Sequence, residues 1–232
     1  MRKIRMILLI GAMKEELHQL VTDIKATAVK DSIVSEFLTP DSKVLVAYTG
    51  IGLVNAATTL SYLLTKYKGQ ISQIVNVGTA GCLDRHQLKR GDLVIVDNAY
   101  LSTADSTGFG YVHGQLPGMP PHYTTDSEIR ARLMACVQAN NYMIANTASS
   151  DIFFESQTKI NEYTSKLPAK IAIAEMECAA LMQTAHIFNI PIGALKIVSD
   201  VIGNDESNEE QFDQFLPKAA LELSQIIQMY LK

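Results

Sequence analysis

The sequence predicts an α/β domain in which helices flank both faces of a central, mostly parallel or mixed β-sheet. Short, continuously apolar runs alternate with longer segments whose apolar residues recur at helical spacing. Continuous apolar runs are typical of strands that are covered on both faces, because a strand with one wet face would alternate polar and apolar residues. The chain contains no internal repeat, low-complexity segment or linker, so we expect a single domain over residues 1–232.

The first third of the chain is predicted to supply a strand, a helix, a strand pair, a second helix and another strand. The apolar run Ile4–Ile10 ends at Gly11, and the segment Met13–Ile24 follows with its apolar residues on one helical face. A turn at Pro40 joins two strand-like segments, and a long helix comes next. The remaining predicted segments are strands Ile33–Leu38 and Val44–Tyr48, helix Val54–Lys66 and strand Ile71–Val77.

The rest of the chain continues the alternation around one long irregular stretch. Residues Tyr100–Thr125 are rich in glycine and proline and show no periodicity, and a loop of this length in a compact domain is usually functional. Asp126 is suited to cap the helix that follows it. The predicted segments are strands Leu93–Val96, Ile144–Ala148, Lys170–Ile173 and Ile192–Val198, and helices Asp126–Asn141, Gln157–Lys166, Met176–Phe188 and Glu209–Leu231.

Composition restricts the possible partners and the location. The net charge of −4 disfavours nucleic acid and anionic membranes, since either would select a basic face. The apolar part of the N-terminus is too short for a secretion signal, and no run reaches the length of a membrane span, so we expect a cytoplasmic protein. The three widely spaced cysteines are expected to be free thiols in a reducing compartment.

Common cofactor and nucleophile motifs are incomplete or missing. Gly50-Ile51-Gly52 lacks the third glycine and the later acid of a dinucleotide-binding fingerprint. The five histidines show no metal-ligand spacing, and no Gly-x-Ser-x-Gly nucleophile elbow occurs. We therefore expect neither a metal nor a cofactor.

Acidic residues collect where the predicted strands end, which is where ligands bind in sheets of this kind. Glu16 follows the first strand by one helical turn, Glu175-Met176-Glu177 lies at a strand-to-helix junction, and Ser199-Asp200 follows the last strand. Acids also suit a helix start by themselves, because the first N–H groups lack partners. One acid at the junction can therefore serve the helix while the other binds a ligand. Several carboxyl groups suit cleavage of a ribosyl–base bond, which needs an acid, a base and a grip on the diol.

A series of motifs runs in order along nearly the whole chain. They are Gly11–Glu16, Gly78–Gly81, Phe109–Tyr111 with Gly114–Gly118, Ser150–Phe153, Glu175–Glu177, Val198–Asp200 and Phe212–Leu216. Together they resemble the bacterial 5′-methylthioadenosine/S-adenosylhomocysteine nucleosidases of the purine nucleoside phosphorylase superfamily. The resemblance implies a nucleoside phosphorylase-like fold and hydrolysis of both nucleosides, with 5′-deoxyadenosine as a further substrate. It also implies a place in methionine salvage and the activated methyl cycle.

The resemblance assigns the chemical steps to two acids. Glu16 matches the base that activates water, and Asp200 matches the acid that protonates adenine N7, with Ser199 orienting it. Such an acid needs a raised pKa to donate a proton near neutrality. Thr79 stands where the family usually has serine near the water and keeps the hydroxyl, and Gly81 of the same motif belongs to the substrate site.

The resemblance also assigns residues to the ribose and the adenine. Glu177 matches the residue that binds the ribose hydroxyls, with the Met176 backbone beside it, whereas Glu175 matches an acid without an assigned catalytic role. Phe153 is expected to stack on the adenine, and the backbone of Phe154 is expected to read the edge of the base. A plain core position is the alternative for these aromatic residues.

An apolar slot for the 5′-alkylthio group and a homodimer are implied together. Met13, Ile51 and Phe212 match residues of the slot within one subunit. Phe109 and Pro117 match residues that the family lends to the neighbouring subunit. The alternative is that their loop folds back on its own core.

Lys196 and the segment Val201–Asp205 depart from the family pattern, and Asn76 bears on the reaction type. Lys196 stands where the family has arginine near the ribose-binding acid and the water, and lysine keeps the charge but loses the planar geometry. The segment Val201–Asp205 departs from the usual continuation of the family. Asn76 stands where the phosphorylases carry a phosphate-binding arginine, which favours water as the nucleophile. A phosphorolytic enzyme and a catalytically silent nucleoside-binding protein remain the alternatives.

Overall fold

The fold is described over residues 5–202 and 207–232 of a computed structural model. Ten strands of this part form one sheet, and six α-helices pack against it. The strands are β1 (Met6–Gly11), β2 (Thr27–Ala28), β3 (Ser35–Leu38), β4 (Val44–Tyr48), β5 (Ile71–Cys82), β6 (Leu93–Leu101), β7 (Tyr123–Thr124), β8 (Tyr142–Ser149), β9 (Ile173–Glu175) and β10 (Ile192–Val201). The helices are α1 (Lys14–Asp23), α2 (Leu53–Lys66), α3 (Ser127–Val137), α4 (Gln157–Thr164), α5 (Cys178–Phe188) and α6 (Asn208–Tyr230).

The sheet is mixed, as the sequence predicts. β1 lies between β4 and β5 and is parallel to both, and β5 is also parallel to β10. β6 runs antiparallel to β10 and parallel to β8, and the short β9 runs parallel to β8 but antiparallel to β5. Because β5 pairs with both β9 and β10, the strands β5, β10, β6, β8 and β9 close into a ring.

Helices cover both faces of the sheet, which explains why its central strands are continuously apolar. In β1, Leu8 and Ile10 belong to one hydrophobic cluster, while Leu9 belongs to the other. The first cluster includes buried residues of α2 and α5, and the second includes buried residues of α1, α3 and α6. The prediction of a helix-covered α/β domain is therefore confirmed.

Three predicted strand ends are wrong, and the error matters for the site. β5 continues past Val77 to Cys82, β6 continues past Val96, and β10 continues past Val198 to Val201. The small and polar residues beyond these predicted ends remain in strands because partner strands distant in sequence satisfy their backbone groups. The motifs Gly78–Gly81 and Ser199-Asp200 therefore lie within paired strands and not in loops.

Other boundaries differ by a few residues. The side chain of Asp126 accepts hydrogen bonds from the backbone of Glu128 and Ile129, so the predicted cap is confirmed, but α3 ends at Val137. The strand before α5 is Ile173–Glu175, later than predicted, and α5 begins at Cys178. The sequence did not predict β2 and β7, and α4 ends two residues early. No helix in the described ranges is long and apolar enough to cross a membrane.

Candidate active site

A cavity of about 400 Å³ lies among residues of α1, β5, β9, β10 and α6 and of the segment that immediately precedes α5. The three predicted acids Glu16, Glu177 and Asp200 all line it. Eight further residues predicted for the site share this lining: Met13, Ile51, Thr79, Gly81, Phe153, Met176, Ser199 and Phe212. Residues that are distant in sequence thus meet in one concave and largely apolar space, as expected of a small-molecule site.

Glu16 projects into the cavity from the first turn of α1 and is buried. The backbone N–H and the hydroxyl of Thr79 both donate to Oε1 of Glu16, each at 2.8 Å. Oε2 accepts a single, longer hydrogen bond of 3.2 Å from the backbone of Met13. A side chain at Gly78 would not fit, since its Cβ would lie 2.9 Å from Glu16 Oε1. Oε1 is therefore occupied by protein donors, while Oε2 keeps capacity to bind a water.

Asp200 is buried in β10, and both of its oxygens are hydrogen-bonded. The hydroxyl of Ser199 donates to Oδ1 at 2.7 Å, as the predicted orienting role requires. The amide of Asn208 donates to Oδ2 at 2.6 Å, a contact that the sequence did not indicate. Burial raises the pKa of Asp200, while these two hydrogen bonds oppose the rise. The structure thus gives Asp200 the direction of shift that a proton donor needs.

Glu177 is the residue that immediately precedes α5, and its carboxyl group enters the cavity. Its Oε1 accepts a hydrogen bond of 2.8 Å from the backbone of Gly52. Burial, assisted by the negative charge of Glu175, raises the pKa of Glu177 to about 7. Lys196 opposes this shift. One oxygen of Glu177 is thus held by the protein, and the group changes charge near neutral pH.

Glu175 caps the start of α5 from outside the helix. Its Oε2 accepts hydrogen bonds from the backbone of Glu177 at 3.1 Å and of Cys178 at 2.6 Å. The hydroxyl of Ser149 donates to Oε1 of Glu175 and accepts from the backbone of Ala179 at 2.9 Å. The two acids that flank Met176 therefore differ in their contacts: Glu175 also lines the cavity but binds the start of α5, whereas Glu177 enters the cavity and binds the backbone of Gly52.

Lys196 lies behind the cavity wall and not in its lining. The residue is 2% exposed, and its Nζ lies 3.2 Å from Oε2 of Glu175. Although burial disfavours its charge, the neighbouring Glu175 carboxylate raises the pKa of Lys196 above its usual range. Lys196 thus acts on Glu177 through its charge, while its direct ion pair is with Glu175.

Three other predicted site residues lie outside this cavity in the single chain. Phe154 is buried, and its ring stacks on Tyr163 with centroids 5.8 Å apart, so its side chain belongs to a hydrophobic cluster. Phe109 is 85% exposed and lies in a short 3₁₀ turn, and Pro117 is also exposed. The loop does not fold back on its own core at these two positions. Of the departing segment Val201–Asp205, residues 203–205 lie outside the described part.

Asp151 is a second residue whose role the sequence did not indicate. Its Oδ1 accepts a hydrogen bond of 2.7 Å from the backbone of Leu53 at the start of α2. The preceding Gly52 has a φ of 105°, and an added Cβ would lie 2.8 Å from the same Asp151 oxygen. The position therefore requires glycine. Asp151 and Glu177 therefore both accept hydrogen bonds from the turn before α2, and the bond from Gly52 fixes one carboxyl oxygen of Glu177.

Replacing Glu177 with Gln should stabilise the protein at alkaline pH. The pKa rises from an ordinary value of 4.5 to about 7, so this group favours the fold below about pH 4.5 and loses that contribution as pH rises through about 7. At about pH 8 the buried carboxylate costs roughly 3 kcal/mol, which a neutral amide avoids. Urea unfolding should show the Gln variant to be more stable at about pH 8 and equal to wild type at about pH 4.

The surface change Glu128→Gln is the matched control for this prediction, because Glu128 is exposed in the first turn of α3. It should change the free energy of unfolding by less than about 0.5 kcal/mol at either pH. A Glu177→Gln variant that is no more stable than wild type at about pH 8 would contradict the raised pKa.

Comparison with known proteins agrees with this geometry. The family model described as "Phosphorylase superfamily" matches residues 6–232. The 5′-methylthioadenosine/S-adenosylhomocysteine nucleosidase of Bacillus cytotoxicus is 34% identical over 232 residues, which cover 97% of this chain and 98% of that protein. The protein of the same name from Staphylococcus aureus strain JH9 is 34% identical over 228 residues, covering 96% of this chain and 97% of that protein.

Solved structures of similar proteins share the whole fold. The Neisseria meningitidis nucleosidase in complex with methylthio-immucillin-A has a TM-score of 0.88 at 26% identity and covers 99% of both chains. The Streptococcus pneumoniae nucleosidase in complex with 8-aminoadenine has a TM-score of 0.87 at 28% identity, covering 98% of this chain and 99% of that one. The chain therefore belongs to the phosphorylase superfamily and, within it, to the 5′-methylthioadenosine/S-adenosylhomocysteine nucleosidases.

Proposed function

We propose that this protein hydrolyses the N-glycosidic bond of 5′-methylthioadenosine and S-adenosylhomocysteine, and also of 5′-deoxyadenosine, in methionine salvage and the activated methyl cycle. The products are adenine and the corresponding 5′-substituted ribose. The observation that carries the proposal is the meeting of Glu16, Glu177 and Asp200, each in a different environment, around one cavity of about 400 Å³. The names of relatives that match nearly the whole chain support the same activity.

The environments of the three acids fit three separate tasks. Asp200, with its raised pKa, gives a proton to N7 of the adenine as the bond between C1′ and N9 breaks. Glu16 accepts a proton, through its less occupied Oε2, from the water that attacks C1′. Glu177 holds the ribose diol through the oxygen that does not bind Gly52. Phe153 in the cavity lining offers a ring face to the adenine.

Water is the nucleophile that the site favours over phosphate. Asn76, at the position where the phosphorylases carry arginine, is buried in β5 and donates its amide to the carbonyl of Ile10 at 3.0 Å. One N–H of this amide is therefore used within the sheet, and the amide carries no charge with which to hold a phosphate dianion. This position therefore favours a hydrolase over a phosphorylase.

The 5′ end of the nucleoside is proposed to lie against Met13, Ile51 and Phe212, which line the same cavity. We propose that a homodimer completes this slot with Phe109 and Pro117 of the partner subunit. In the single chain, Ile51 and Phe109 are both large, apolar and exposed, which is the kind of surface that a second subunit would cover.

Replacing Phe109 with Ala should lower kcat/KM for 5′-methylthioadenosine about tenfold or more. In the proposed dimer, the phenyl ring would be buried against the substrate of the partner subunit, and the substitution would remove that contact. Val112→Ala, on the same loop, is the matched control and should change kcat/KM less than about twofold.

Mixing the Phe109→Ala and Asp200→Asn proteins tests whether Phe109 contributes to the active site of the partner subunit. In mixed dimers, one site would combine an intact Asp200 with the partner's Phe109, so activity should rise. Mixed dimers without any gain would contradict the sharing of Phe109.

The alternatives are separated by one assay of the intact protein. Adenine release from methylthioadenosine, S-adenosylhomocysteine, 5′-deoxyadenosine and an aminofutalosine-like nucleoside is measured with and without phosphate. The proposal expects release that does not depend on phosphate and is fastest for the two thio-nucleosides. Release that requires phosphate would indicate a phosphorylase. Tight binding of all four nucleosides without release would indicate a silent binding protein.

A further inference from the structure

Asn208, the first residue of α6, contacts the catalytic acid of the proposed reaction directly. Its Nδ2 lies 2.6 Å from Oδ2 of Asp200, and both residues are buried, at 5% and 2% exposure. One turn later, the buried Gln211 accepts from the backbone N–H of Val201 at 3.0 Å and donates to the Val201 carbonyl at 3.3 Å. The first turn of α6 is thus attached to the end of β10, and this attachment presents Asn208 to Asp200.

The hydrogen bonds around Asp200 make its two oxygens unequal. The amide nitrogen of Asn208 only donates, so its bond is strongest when Oδ2 carries no proton. The hydroxyl of Ser199 lies 2.7 Å from Oδ1 and 3.3 Å from the carbonyl of Ala80. When Oδ1 is protonated, this hydroxyl can accept from it and donate to Ala80 instead. These contacts therefore favour a proton on Oδ1 over a proton on Oδ2.

We propose that Asn208 is a positioning residue that keeps Oδ2 of Asp200 unprotonated, so that the proton for the leaving base resides on Oδ1. The inference rests on the proposed hydrolysis. In the step, the Oδ1–H bond breaks and the N7–H bond forms, while the electron pair of the C1′–N9 bond leaves with the base. The carboxylate that is produced accepts hydrogen bonds from both Asn208 and Ser199. These donors stabilise charge that develops in the transition state, which lowers the barrier.

Other ionisable groups face the same carboxyl group from neighbouring elements. Glu209 of α6 adds a like charge, and the buried Cys82 of β5 is influenced by Asp200 in turn. Glu16, Glu175, Glu177 and Asp213 line the same cavity. Burial and Glu209 favour the protonated acid, whereas Asn208 and Ser199 favour its ionised form. Removing the Asn208 donor should therefore make Asp200 a weaker acid.

The test is the pH dependence of kcat/KM for the Asn208→Ala and Asn208→Asp variants. In the Ala variant the alkaline limb, where the acid loses its proton, should move up by roughly one pH unit, and plateau kcat should fall about tenfold. In the Asp variant an acceptor replaces the donor, so the limb should move further in the same direction. Asn140→Ala is the control, because that amide donates to Glu222 at 3.2 Å, a carboxylate outside the cavity lining, and its profile should match wild type.

Each outcome either supports or refutes the positioning role of Asn208. An unmoved alkaline limb in a folded Asn208→Ala protein, or an equal loss of kcat/KM at every pH, would overturn the proposal. If the Ala variant does not fold, Asn208→Ser is used, and it should shift the alkaline limb less.

If intact protein releases no adenine, the proposed hydrolysis fails. The pKa of Asp200 is then measured directly by ¹³C-carboxyl NMR, with the resonance assigned through Asp200→Asn. A higher pKa of Asp200 in the Asn208 variants supports the positioning role, and an unchanged pKa refutes it.

Discussion

Replacing Asp200 with Asn is expected to reduce kcat for adenine release by about 10²–10⁴-fold, because an amide cannot supply the proton that the leaving base needs. Nucleoside affinity should stay within a few-fold of wild type, since the amide retains the shape of the carboxyl group and the other cavity-lining residues are unchanged. Adenine release is measured by single-turnover kinetics, and affinity is measured by calorimetry with a nonhydrolysable nucleoside.

A substrate with a good leaving group sharpens this prediction. When the C1′–O bond of p-nitrophenyl 5-methylthioribofuranoside breaks, p-nitrophenolate leaves without protonation. The variant should therefore lose far less activity towards this substrate than towards methylthioadenosine. Asp126→Asn is the matched control, because Asp126 caps α3 outside the cavity lining and asparagine caps a helix equally well. An Asp200→Asn protein that keeps wild-type kcat for methylthioadenosine would contradict the assigned acid.

Replacing Lys196 with Met should destabilise the fold by about 3–5 kcal/mol, because it leaves the buried charge of Glu175 without its cation. Lys196 and Glu175 are both buried, with the Nζ and Oε2 atoms 3.2 Å apart. Glu175 also holds the first N–H groups of α5, so its disturbance would reach Glu177. Urea unfolding should show the loss as a lower midpoint with an unchanged slope.

The matched control is an ion pair on the surface. Lys159 and Glu155 lie 2.8 Å apart in a largely exposed pair, so Lys159→Met should cost less than about 0.5 kcal/mol. The double variant Lys196→Met, Glu175→Gln removes both charges and should recover part of the lost stability, a coupling that a double-mutant cycle measures. A Lys196→Met protein as stable as wild type would contradict a stabilising role of the buried ion pair between Lys196 and Glu175.

Local sequence patterns predicted the layers of the fold, but not how far β5 and β10 extend or which strands they pair with. Continuous apolar runs and helical periodicity depend on neighbouring residues, so β1 and the six helices were recognisable from short windows. Gly78–Gly81 and Ser199-Asp200 lack the apolar side chains of a strand, and they stay extended because β9 and β10 pair with β5. That pairing joins segments more than ninety positions apart, so no local pattern reveals it.

The sequence predicted which residues line the site but not the partners that set their properties. The resemblance located Glu16, Glu177 and Asp200, and the structure places all three at one cavity. The partners that set their properties come from other parts of the chain: Asn208 reaches Asp200 from α6, and Lys196 reaches Glu175 from β10. Such contacts depend on side-chain packing in three dimensions, which motif spacing does not encode.

We propose that water, and not phosphate, attacks C1′ in a site built by Glu16, Glu177 and Asp200. Incubation of the intact protein with 5′-methylthioadenosine and excess inorganic phosphate, followed by mass spectrometry of the sugar, tests it most directly. Free 5-methylthioribose and one equivalent of adenine are the expected products. A sugar 1-phosphate, or the absence of adenine, would contradict the claim.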